Sequence, residues 1–165
     1  MSELIIEYEK IIDCWQELER LAAQEQIEIK EERPFRPDWN SMRVLNEQGI
    51  FQLLVARVDD RAVGYFSWLL DFDLESKGTL IVNQMAWFVE PRHPIVGVKM
   101  LDRAIAEFKK IGVEFAYFHH TVTGRGANLG RLFERRGAKL LGYNYVMKIK
   151  QEGWTEGQGT EGVRE

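Results

Sequence analysis

Twelve consecutive residues, Trp87-Phe88-Val89-Glu90-Pro91-Arg92-His93-Pro94-Ile95-Val96-Gly97-Val98, form the stretch best suited to chemistry, an apolar strand that turns between prolines into a helix. Such a turn aims several backbone N–H groups at one point, and the helix N-terminus adds partial positive charge there. A pyrophosphate can then be cradled without a metal. Pro91, Pro94 and Gly97 would equally make a plain β–α connection, so these residues alone leave both readings open. Gln84 could orient an amine or a water, but an amide cannot take a proton, and a strand amide is often satisfied by its neighbours. His119 and His120 end a short apolar run and titrate in a useful range. Alternation along a strand lets only one of them face a cleft, and His120 is the choice. Glu90, Asp71 and Asp73 are further candidate bases that loop solvation also explains. Phe35, Arg36 and Trp39 either wall a pocket or pack under a loop.

The elements that must position these groups follow from periodicity. Leu4, Ile5, Tyr8, Ile11, Trp15, Leu18 and Leu21 form one apolar stripe, predicting a helix over about 7–24, with a short strand at residues 4–6 as the alternative for its first part. The stripe is spaced almost as a heptad and could be a homodimer seam, although packing on the chain's own sheet is the commoner fate. Pro34 and Pro37 bracket a loop, and Asp38 caps a short helix to about Glu47, ended by Gly49. Phe51 to Val58 and Ala62 to Leu70 read as a hairpin about Asp59-Asp60-Arg61, and Leu80 to Val89 as a long strand. A helix carries Val98, Leu101, Ile105 and Phe108 and stops at Gly112. Val113 to His119 is a short strand of the type buried on both faces, and a helix carries Leu129, Leu132, Phe133 and Arg136. Leu140 to Ile149 is the last strand, and 151–165 a Gly- and Glu-rich tail.

Composition excludes several classes. The 165 residues suit one domain, with 45% apolar and 29% charged residues giving ordinary globular composition. No apolar run approaches the roughly 20 residues that span a bilayer, and the acidic N-terminus is no signal peptide. Cys14 is the only cysteine, which removes an internal disulfide and a thiolate metal cluster and fits a reducing cytoplasm; no metal site is expected. A net charge of −4 argues against nucleic acid, and the cluster Arg131, Arg135, Arg136 and Lys139 reads as a solvated helix face.

From about Pro37 to Ile149 this order of elements resembles the Gcn5-related N-acetyltransferases, whose two helices, hairpin and long strand precede a pyrophosphate loop and its helix. The family's loop, Arg or Gln, two residues, Gly, one residue, Gly or Ala, starts here at Arg92 and ends at Gly97, with Ile95 in place of the middle glycine. Met100-Leu101, Gly112-Val113 and Leu132-Phe133-Glu134-Arg135-Arg136-Gly137-Ala138 also fit its layout. Pro37-Asp38-Trp39, Gly49, Val55-Ala56-Arg57 and Val63-Gly64-Tyr65 are similar to the short members encoded by tailed phages, which would place the chain in a host cytoplasm.

The resemblance implies an α/β (α+β) fold, a mixed, mostly antiparallel sheet flanked by about four helices and splayed between the long fourth strand and the fifth. One such domain would occupy 1–150. It implies acetyl-CoA as acyl donor, held by Trp87, Phe88, Val89, Arg92, His93, Ile95, Val96, Gly97, Val98, Asn128 and Phe133. A primary amine on a small molecule, peptide or protein would attack directly in a ternary complex, with Gln84 and His120 as the catalytic candidates. The sequence also departs from the family. Pro94 and Ile95 cut the loop's donors, Phe133 stands where many members have a tyrosine acid, Gly126 where they have an asparagine, and the long strand lacks a carboxylate. Those departures support the alternative, a catalytically silent binding module of the same fold.

Overall fold

The computed structural model describes residues 3–29, 35–120 and 126–142. The chain opens with strand β1 (Leu4–Tyr8), which pairs antiparallel with β2 (Phe51–Val58) from Leu4 opposite Val58 to Tyr8 opposite Leu54. The apolar stripe is therefore two elements. Ile5 and Ile6 suit a strand, the N–H of Glu9 still donates to Leu53 O at 3.2 Å, and only then does helix α1 (Ile11–Ile29) begin. Its apolar face, Ile11, Cys14, Leu18 and Leu21, is buried on the sheet, so it is not available as a dimer seam.

Helix α2 (Trp39–Glu47) starts where Asp38 accepts from the N–H of Ser41 at 3.0 Å. β2 turns through Asp59 and Asp60, both at positive φ, into β3 (Arg61–Phe72), a two-residue hairpin turn of the type that matches strand twist. β3 pairs antiparallel with β4 (Leu80–Val89), and the sheet order is β1-β2-β3-β4-β5. Gly64 is needed where these strands cross closely, because a Cβ there would lie 2.8 Å from Val89 Cγ2 and 2.9 Å from Phe88 O.

Helix α3 (Pro94–Ile111) ends at Gly112 in the left-handed region. One sheet face packs on α3 through Phe66, Trp68, Val82, Met100 and Phe108. The other carries α1 through Leu53, Val55, Tyr65 and Phe88. β5 is shorter than expected, Phe115–Tyr117, and is not buried on both faces: Phe115 is 57% exposed and lies at the sheet edge among the described residues. Helix α4 (Gly126–Glu134) stops before Arg136, whose guanidinium forks onto Asp102 of α3 at 2.6 and 3.0 Å. Leu140 and Leu141 are exposed and not in a strand, and the rest of the expected last strand and the tail lie outside the described residues.

Candidate active site

β5 runs parallel to β4 but pairs with it only from Ile81 opposite Phe115 to Asn83 opposite Tyr117. No residue of β5 pairs with Gln84 to Val89, and the sheet opens there into a cleft of about 550 Å³. One wall is β4 itself, Gln84 through Val89. The rest is built from Glu25, Gln26, Glu28 and Ile29 at the end of α1, Pro94, Gly97 and Val98 at the start of α3, His119 and His120 after β5, and Asn128, Leu129 and Leu132 of α4. Both histidines reach the cleft because β5 ends at Tyr117, so strand alternation no longer applies to them. Burial and the neighbouring His120 hold the His119 pKa below its usual value, with a hydrogen bond to the Met85 backbone acting the other way.

Gln84, Trp87, Phe88, Val89, Gly97, Val98, Asn128 and His120 of the expected set thus come together. Five others do not line the cleft. Arg92 donates from Nε to Glu90 at 2.9 Å and joins Arg20 and Arg61 around that buried carboxylate, which binds it more closely than open solution would. His93 is the residue before α3, and its N–H is spent on Glu90 O at 2.9 Å. Ile95 points outward, 68% exposed. Val96 is a core residue whose N–H donates to His93 O at 3.0 Å. Phe133 is 6% exposed, stacked on Phe118 at 4.9 Å and tilted against Trp87 at 5.8 Å, because the apolar face of α4 must be covered. Asn128 lies in the first turn of α4, which starts at Gly126. Asp71, Asp73 and Glu90 line neither this cleft nor the cavity described next.

The register of β3 against β4 shifts once: Ser67 faces Ala86 but Trp68 faces Gln84, leaving Met85 as an extra, bulged residue. The bulge matters because a second cavity, about 300 Å³, lies on the other side of it. Glu25, Gln26, Met85 and Ala86 line both cavities. Phe35, Arg36 and Trp39 line the second one, and Trp39 also packs against the core under α1.

Glu25 is the functional candidate that the sequence did not reveal. It lies in the last third of α1, beyond the expected helix end, and nothing in its local spacing marks it. Its carboxylate accepts from the Tyr65 hydroxyl and from the Trp87 backbone N–H. Burial pushes its pKa up, nearby Glu28 adds to that, and the two hydrogen bonds oppose it. Gln84 is the other unusual group: 6% exposed, it donates from Nε2 to His119 O at 3.1 Å, while its Oε1 is buried without a hydrogen-bond partner.

The cleft fits acetyl-CoA in outline. β4 parts from β5 after Asn83, which leaves room between them for a pantetheine arm, and at Gly97 a Cβ would meet the Trp87 ring at 3.5 Å, an ordinary contact distance. The phosphate end is leaner than a glycine loop, since Pro94 has no N–H and those of His93 and Val96 are used internally.

No protein-family model matches the sequence, and no curated protein does. Among solved structures, an aminoglycoside acetyltransferase from an uncultured soil sample superposes with a TM-score of 0.73 at 13% identity, covering 90% of this chain and 99% of that one. A transcriptional regulator from Bacillus halodurans gives 0.71 at 17%, covering 89% and 100%. A predicted acetyltransferase from Clostridium acetobutylicum, solved with acetyl-CoA, gives 0.68 at 13%, covering 90% and 96%. At such identities the likeness is one of architecture: the chain has the Gcn5-related N-acetyltransferase fold.

Proposed function

We propose that this chain is an N-acyltransferase that moves acetyl from acetyl-CoA to a primary amine. The observation that carries the reading is the meeting of two cavities at the β4 bulge, one suited to a donor and one to an acceptor, with Glu25, Gln26, Met85 and Ala86 common to both. Holding two reactants end to end at one point removes most of the entropic barrier to their reaction. Bound in the larger cleft, acetyl-CoA supplies a thioester whose acyl carbon accepts the amine nitrogen as its C–S bond breaks. The chain's part is to bind and orient. Trp87, Phe88 and Val89 wall the arm, and Gly97 leaves room at the start of α3, where the helix dipole favours phosphate. Gln84 lines the same cleft and ties it to the segment after β5, donating from Nε2 to His119 O at 3.1 Å.

A second reading, the silent binding module, is favoured by Phe133, which brings no acid to the cleft, and by the loop's spent amides. Calorimetric titration with acetyl-CoA and with CoA tests what the two share. Saturable binding is expected for both ligands; folded protein that binds neither at millimolar concentration sinks the donor reading. Amine-dependent thiol release then separates enzyme from module.

A further inference from the structure

The smaller cavity has a distinct chemical character. Its walls are Phe35, Trp39 and Met42, with Phe51, Leu53 and Tyr65 of the sheet facing them. Among the described residues that line it, only Glu25 and Arg36 carry charge. Glu25 stands at the inner end, where this cavity meets the donor cleft. Trp39 lines it with its ring, its Nε1 being buried with no hydrogen-bond partner.

These features select an occupant. An apolar cavity of about 150 Å³ holds one benzene, so about 300 Å³ has room for a ring and a short chain. A polycationic amine would need several carboxylates and, among the described residues, finds one. We infer that this cavity takes a small primary amine on an apolar, ring-bearing group packed against Trp39, its ammonium at Glu25, and that Glu25 takes the ammonium proton. The inference rests on the donor reading of the larger cleft.

The protons balance. R–NH₃⁺ gives one proton to the Glu25 carboxylate, and the freed lone pair forms the N–C bond to the acyl carbon. As the C–S bond breaks, the second proton leaving nitrogen ends on sulfur, giving amide and thiol, and Glu25 returns its proton to solvent. A carboxylate has about four acceptor positions, and Tyr65 and Trp87 take two of those on Glu25. Among the described residues, the charged and titratable groups around it are Tyr65 on β3, Glu28 on α1, Arg36 in the cavity, and His119 and His120 across the cleft. Burial pushes its pKa up, which makes it a stronger proton acceptor than a free carboxylate.

The test uses the full chain with CoA or acetyl-CoA, 2-phenylethylamine as probe and sisomicin as the polycationic comparator. With CoA bound, 2-phenylethylamine should shift the Trp39 indole N–H resonance. It should also drive thiol release with kcat/KM at least tenfold above sisomicin. Glu25→Gln should cut kcat by about 10² to 10⁴, flatten its rise with pH, and leave the Trp39 shift in place. Ala22→Phe, which fills the cavity from α1, should abolish both amine responses and keep CoA binding, and it serves if Glu25→Gln does not fold. A preference for sisomicin or for a peptide amine, an unmoved Trp39 resonance, or an unchanged pH profile in Glu25→Gln would overturn the inference while CoA binding stands. Loss of CoA binding in the parent would instead remove the donor reading, and this inference with it.

Discussion

Phe133→Tyr separates a core residue from a lost catalytic acid. The ring is 6% exposed, nearly parallel to Phe118 at 17° and 4.9 Å, with Trp87 at 5.8 Å and His120 at 6.3 Å. Tyrosine keeps the ring and its stacking and adds one hydroxyl among these faces. A hydroxyl buried without a partner costs about 1 to 3 kcal/mol. For a chain of this size each kcal/mol lowers the thermal midpoint by about 2 to 4 °C, so a fall of roughly 2 to 12 °C is expected. Phe133→Leu loses stacking but buries no polar group, and reports the packing loss by itself. The assay is a thermal melt of parent and both variants beside amine-dependent thiol release. Activity should stay flat. A rise in thiol release of tenfold or more with an unchanged midpoint would show that the hydroxyl reaches the cleft, and would refute the packing argument.

Gly97→Ala should fold and bind CoA within a few-fold of the parent, because its Cβ meets Trp87 and Val89 at 3.5 and 3.6 Å, ordinary contact; Gly97→Trp should fold and lose binding, read by calorimetry. Arg92→Ala should leave CoA affinity within twofold, since its guanidinium is held by Glu90, and being 62% exposed it should cost under about 1 kcal/mol in a denaturant titration. Burial pushes the Cys14 thiol up to about 12, so at pH 8 about one molecule in ten thousand is thiolate, and iodoacetamide should label the chain only in denaturant.

Much of the fold was legible because its signals are local. The β4 boundaries, the Asp38 cap and the Gly112 stop each follow from a few adjacent residues. The join of β1 to α1 was not, since Leu4 to Leu21 keeps helical spacing across it and only pairing with β2 makes Leu4–Tyr8 a strand. The donor wall along β4 was readable as a contiguous motif. The side chains that leave it were not: Arg92 turns to the Glu90 carboxylate, which is buried by contacts with elements far apart in sequence and is shared with Arg20 and Arg61. Glu25 was invisible for the same reason, as its partner Tyr65 and the bulge at Met85 come from other elements.

The central claim is that a donor and an acceptor enter by different cavities and meet at the β4 bulge. The indole N–H resonances of Trp87 and Trp39 report one cavity each, Trp87 lining only the larger and Trp39 only the smaller. Titrating isotopically labelled protein with CoA should move the Trp87 resonance and leave that of Trp39 in place. Movement of Trp39 alone, or of neither at saturating CoA, would contradict the account.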